Sequence, residues 1–269
     1  MNASARGQTA QRDAPGGAGR NPSPVAPAGS TGARADRLDA LRGLAMLWMA
    51  AYHYLFDLNH FGYLVPHQDF YHAPLWTLQR TGILSLFLLC AGLGQAAAQA
   101  AAQPAARFWR RWAQVVACAL LVSAGSALMF PKSWIYFGVL HGIALMLLVA
   151  RWAAPLGRGL LPLAALAIAL PLFVQHPFFE TPLTNWVGLV SRKPVTEDYV
   201  PLLPWLGVLL FGLAAGQWLL GRHRAWFTAS LPSVLAPLAR LGRWPLTFYM
   251  LHQPLFLGVL MGGRALGWW

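Results

Sequence analysis

Four ionisable side chains crowd the first apolar stretch of the chain: Asp39, Arg42, His53 and Asp57. On a helix, Arg42 and His53 lie about three turns and about 16 Å apart on one face. Asp39 precedes Arg42 by three positions and Asp57 follows His53 by four, spacings at which helical side chains touch. A histidine with a carboxylate one turn away can serve as a general base. The carboxylate orients the ring and stabilises the imidazolium that forms when the ring takes a proton. The alternative for His53 and Asp57 is a buried polar pair that joins helices. Asp39 and Arg42 read either as a salt bridge at the helix entry or as part of an anion-binding site. Met46 and Met49 fill the stripe between the two pairs.

Histidines recur further along. His141 follows Phe137-Gly138-Val139-Leu140, and His252 follows Tyr249-Met250-Leu251. His141 is expected about 10 Å, and His53 about 8 Å, below the same membrane face, so the two could line one cavity. An interhelical hydrogen bond is the alternative for His141 and for His252. The segment after the first stretch adds His60, His67, Asp69 and His72.

These residues need elements to hold them, and composition says which kind. Of 269 residues, 57% are hydrophobic and only 10% charged, against roughly 25% charged in a soluble domain. Too little charge is present to cover a water-facing surface, so the chain is expected in lipid. Seven apolar segments approach the roughly 20 residues that a spanning helix needs: residues 41–58, 76–98, 109–130, 134–152, 160–175, 202–220 and 244–262. The fold expected is an all-α polytopic membrane bundle of about seven transmembrane helices over residues 36–269. Residues 1–35, rich in Gly, Ala, Pro, Ser and Arg, read as a disordered tail. They contain no apolar core of a signal peptide. Loop charges orient the bundle with the N-terminus in the cytoplasm: 15 of the 20 Lys and Arg then fall on the cytoplasmic side, as the positive-inside rule requires. The net charge of +12 does not read as nucleic-acid binding, because the positive charges sit between apolar runs. Cys90 and Cys118 lie in apolar runs at no metal-type spacing, and no metal is expected.

Four motifs carry a resemblance. The segment Arg37-Leu38-Asp39-Ala40-Leu41-Arg42-Gly43-Leu44-Ala45 continues through His53-Tyr54-Leu55-Phe56-Asp57-Leu58-Asn59. The others are Tyr136-Phe137-Gly138-Val139-Leu140-His141-Gly142-Ile143, Asp198-Tyr199-Val200-Pro201-Leu202-Leu203-Pro204-Trp205-Leu206-Gly207, and Gly242-Arg243-Trp244-Pro245-Leu246-Thr247-Phe248-Tyr249-Met250-Leu251-His252. Together they resemble a bacterial membrane family related to the catalytic domain of heparan-alpha-glucosaminide N-acetyltransferase. The resemblance implies an integral protein of the bacterial inner membrane. Its implied activity moves an acyl group from cytosolic acyl-CoA to a sugar on the far side, which would modify envelope glycans. The Arg42-to-His53 spacing resembles an Arg-x10-His motif of bacterial membrane O-acyltransferases, whose histidine is catalytic. In the lysosomal N-acetyltransferase the catalytic histidine lies in the following loop, where His72 is the nearest counterpart.

On this reading His53, with Asp57, or His72 takes a proton from the acceptor as it attacks the thioester of acetyl-CoA. Arg42, Arg110, Arg111 and Arg243 would hold the phosphates of the donor. His141, His252, Tyr249, Asn59 and Trp205 would line the acceptor cavity. The partners expected are acyl-CoA, an envelope sugar or glycolipid, and membrane lipid; a homo-oligomer stays open. Two other functions remain at this stage: a transporter or channel without chemistry, and a haem-binding electron carrier using His53, His141 and His252.

Overall fold

Long apolar runs with no strand-type alternation fold here as helices. The structure, a computed structural model, describes residues 35–267, and the expected tail lies outside them up to residue 34. Every regular element among the described residues is helical. The helices are α1 (Asp36–His60), α2 (Pro74–Ala100), α3 (Ala105–Met129), α4 (Val139–Ala153), α5 (Leu160–Phe173), α6 (Trp205–Arg222), α7 (Arg224–Thr228), α8 (Ala236–Leu241) and α9 (Pro245–Ala265), with short 3-10 turns between some of them. α2 and α9 begin on proline, where the missing N–H costs no helical bond.

Four stretches are long and apolar enough to cross a membrane: Pro74–Ala100, Ala105–Met129, Val139–Phe173 and Trp205–Arg222. The chain is a polytopic membrane protein. The third stretch is broken at Gly157, whose φ of 52° and ψ of −112° suit only glycine, so it divides into α4 and α5. α1 and α9, of 25 and 21 residues, have comparable length but carry the polar side chains of the site.

Two differences from the sequence reading have local causes. Residues 134–138 continue an apolar run but are not helical. Their backbone is used elsewhere: Thr196 Oγ1 donates to the Trp134 carbonyl at 2.8 Å, Ser123 Oγ to the Ile135 carbonyl at 2.6 Å, and the Val200 N–H to the Phe137 carbonyl at 3.4 Å. The short helices α7 and α8, of 5 and 6 residues, are below the length at which apolar periodicity is readable.

The main core lies between α2, α4, α5 and α6, around Leu88, Met146, Leu160, Leu209, Leu210 and Leu213. α1, α3 and α9 form a ring with α2 and α4 beside it: α1 packs on α2, α2 on α4, α4 on α3, α3 on α9 and α9 on α1. α8 lies against the N-terminal part of α1, and their backbones nearly touch. A Cβ at Gly242 would stand 1.7 Å from the Asp39 carbonyl oxygen. Gly242→Ala is therefore expected to force α8 off α1 and cost about 1–3 kcal/mol. Thermal melting in detergent reads this, and an unchanged midpoint would contradict the close approach.

Candidate functional site

α1 and α9 meet along two rungs of polar side chains. In the first, His53 Nδ1 lies 2.8 Å from His252 Nε2, the rings stacked at a centroid distance of 5.1 Å. His252 Nδ1 faces the carbonyls of Tyr249 at 2.8 Å and Phe248 at 3.2 Å. A carbonyl only accepts, so His252 Nδ1 carries the proton. With both rings neutral, His252 Nε2 then accepts, and His53 Nδ1–H donates to it. His53 Nε2 is left with a lone pair and no partner among the described residues. The backbone of α9 thus sets the tautomer of a ring on α1, through one intervening imidazole.

The second rung replaces an expected contact. Asp57 accepts from Gln253 Nε2 at 2.9 and 3.0 Å rather than pairing with His53. Asp57 is 3% exposed, and its carboxylate ties α1 to α9 one turn along from the imidazole pair. Gln253 Oε1 is buried with no partner. The sequence reading passed over Gln253, although a glutamine beside His252 in an apolar helix is itself a signal, since a polar group in lipid needs a partner. An aromatic cluster borders the first rung: Met49, Tyr52, Phe70 and Ile83 are buried, with Phe248 and Tyr249 packed against them. Tyr52 lies edge-on to His53 at 5.9 Å. Tyr249 therefore does sit beside the histidine pair.

Other candidates are placed elsewhere. His141 is engaged at both nitrogens: Gly138 N–H donates to Nδ1 at 3.2 Å, and Nε2 lies 3.2 Å from Ser123 Oγ. It lines an apolar cleft of about 380 Å³ with Trp112, Phe137 and Trp186, among whose walls no residue of α1 occurs. His141 and His53 therefore do not share that cavity. Asn59 binds the loop after α1, accepting from the Gln68 N–H at 2.7 Å and donating to the Gln68 carbonyl at 2.9 Å. Trp205 packs against the main core. His72 stands just before α2 with Nδ1 3.1 Å from Asp69 Oδ2, and its side chain is 86% exposed. The carboxylate–histidine pair expected at His53 is thus found at His72. Backbone N–H bonds from His72 and Tyr71 hold the Asp69 carboxyl below its usual range.

Toward the N-terminal end of α1, Arg42 pairs with Asp39 at 2.7 Å, and Arg243 pairs with Asp36 at 3.0 Å. Arg243 clamps α1 to the α8–α9 junction, whereas the Arg42–Asp39 pair lies within α1. Arg110 and Arg111, on the first turns of α3, are exposed.

The family model described as heparan-alpha-glucosaminide N-acetyltransferase, catalytic, matches residues 34–254. The chain belongs to this family. The match to the heparan-alpha-glucosaminide N-acetyltransferase catalytic family runs from the start of α1 into α9 and includes all four members of the two rungs. Neither a curated protein nor a solved structure matches the chain. A membrane acyltransferase-like enzyme is the reading that the family supports. The haem alternative meets a geometric obstacle. Two imidazoles bound trans on one haem iron need about 4 Å between their ligating nitrogens, whereas Nδ1 of His53 and Nε2 of His252 share a hydrogen bond at 2.8 Å. Among the described residues no three His, Cys, Asp or Glu side chains are grouped to hold a metal ion.

Proposed function

We propose that this protein transfers an acetyl group from cytosolic acetyl-CoA to a hydroxyl or amine of an envelope sugar outside the bacterial inner membrane. The observation that carries the proposal is the free Nε2 of His53, its lone pair fixed by the hydrogen bond that Nδ1–H gives to His252. The acceptor's O–H or N–H loses its proton to His53 Nε2 as the oxygen or nitrogen bonds to the thioester carbonyl carbon. Collapse of the tetrahedral adduct breaks the C–S bond, and the leaving thiolate takes the proton back from His53. Nothing is left on the protein. His252 holds the ring in place and shares the positive charge while His53 is protonated. Asp57 sits one turn away and, bonded to Gln253, holds α1 and α9 together beside the pair.

The donor's phosphates need cations not already paired. Of the four arginines expected to supply them, Arg42 and Arg243 are committed to Asp39 and Asp36, which leaves Arg110 and Arg111 for that role. Arg110→Gln with Arg111→Gln is expected to weaken acetyl-CoA binding roughly tenfold, and added salt should weaken the wild type in the same direction. Equilibrium binding of acetyl-CoA measures both, and unchanged affinity would place the phosphates elsewhere.

A second reading assigns the base to His72. The observation that favours it is the Asp69 carboxylate on its Nδ1, which leaves Nε2 available on an exposed ring just before α2. The comparison of His53→Ala with His72→Ala decides between them.

A further inference from the structure

The loops after α3 and α5 build a second concave site that the transfer chemistry does not use. Lys132, Trp134, Tyr136, Glu180 and Asn185 line a cavity of about 350 Å³, closed by proline and valine side chains, a volume in the range of small-molecule sites. Its floor is polar and incompletely bonded. Asn185 is 1% exposed and donates from Nδ2 to the Tyr136 hydroxyl at 2.7 Å, while its Oδ1 is buried without a partner. Whichever way the amide is turned, one of its polar atoms lacks a partner, which costs about 1–3 kcal/mol unless something supplies one. The Tyr136 oxygen accepts from Asn185, so its own proton is free to donate. The Tyr136 hydroxyl therefore offers a proton to a ligand oxygen, and the unpartnered amide oxygen of Asn185 lies buried behind it.

The walls suit the rest of such a ligand. Trp134 and Tyr136 pack edge to face at 5.7 Å, and Trp134 is 40% exposed, offering an aromatic face to the C–H face of a ring. The frame is stiffly held: Thr196 Oγ1 donates to the Trp134 carbonyl at 2.8 Å, the Tyr199 hydroxyl donates to the Asn185 carbonyl at 2.6 Å, and Glu180 accepts from Ser191 Oγ. Tyr199 follows Asp198, which caps α4 through the Val139 N–H at 2.7 Å.

We infer that the cavity lined by Trp134, Tyr136 and Asn185 is a saccharide-binding subsite, which takes a neutral, hydroxyl-bearing sugar unit. The assignment rests on the proposed transfer for its use, as the place where the acceptor chain is held away from its reacting end. The test uses the full chain in lipid nanodiscs, titrated with two uncharged probes, a tetrasaccharide of β-1,4-linked N-acetylglucosamine and maltotetraose, and read by calorimetry. Saturable binding of at least one probe is expected, weakened tenfold or more by Trp134→Ala and restored to within about threefold by Trp134→Phe. Asn185→Ala should also weaken it; Lys132→Gln, at the cavity edge, provides a second reading should the Asn185 variant melt early. Absence of binding by both probes, or equal binding by wild type and Trp134→Ala, would overturn the inference. Saccharide binding by a wild type that transfers no acetyl group would remove the transfer proposal and leave the subsite standing. Transfer without saccharide binding would do the reverse.

Discussion

Replacing His53 by alanine is expected to lower kcat for acetyl transfer by roughly 10²–10⁴-fold, the usual contribution of a positioned general base. The KM for acetyl-CoA should hardly move, because the free Nε2 meets the acceptor's proton and not the donor's phosphates. Folding should survive: the ring is half-buried, and the Asp57–Gln253 rung still joins α1 to α9. A variant that loses acetyl-CoA binding along with turnover would show His53 to be structural. The split between kcat and KM separates the two roles.

His252→Ala is expected to cost roughly 10²–10³-fold in kcat, although His252 is not assigned contact with substrate. Its part is positioning. Without its Nε2, the His53 Nδ1–H loses its acceptor, and the ring is free to turn or to move its proton to Nε2, where the lone pair is needed. An analogous wrong tautomer in a serine-protease triad costs about 10⁴-fold. His252→Gln supplies an amide oxygen near the lost nitrogen and should recover part of the rate. A merely structural role predicts no such recovery. The tautomer can be followed directly, since nitrogen NMR of histidine-labelled protein should show His53 protonated at Nδ1 in the wild type and shifted toward Nε2 in His252→Ala. An unchanged tautomer would contradict the relay.

Much of the fold was legible because its causes are local. Low charge and long apolar runs imply lipid-facing helices, and α2, α3 and α6 fall where those runs fall. The site was legible only as an inventory. His53, His252, Tyr249 and Asp57 were each singled out, but their pairing depends on how α1 and α9 lie against one another. Sequence spacing along one helix favoured His53 with Asp57. Tertiary packing gave each a partner from α9 instead. The same limit applied to His141: its depth matched that of His53, but the ring is spent on the start of α4 and on Ser123. Arg42 and Arg243 looked like phosphate ligands because their charge was visible, whereas the nearness of Asp36 to Arg243 was not.

The most direct test is the transfer of radiolabel from acetyl-CoA into envelope acceptors by membranes carrying wild type, His53→Ala or His72→Ala protein at equal expression. The predicted result is label with the wild type and with His72→Ala, and label near background with His53→Ala. Full transfer by His53→Ala, with none by His72→Ala, would contradict the assignment of the base to α1 and move the chemistry to the Asp69–His72 pair.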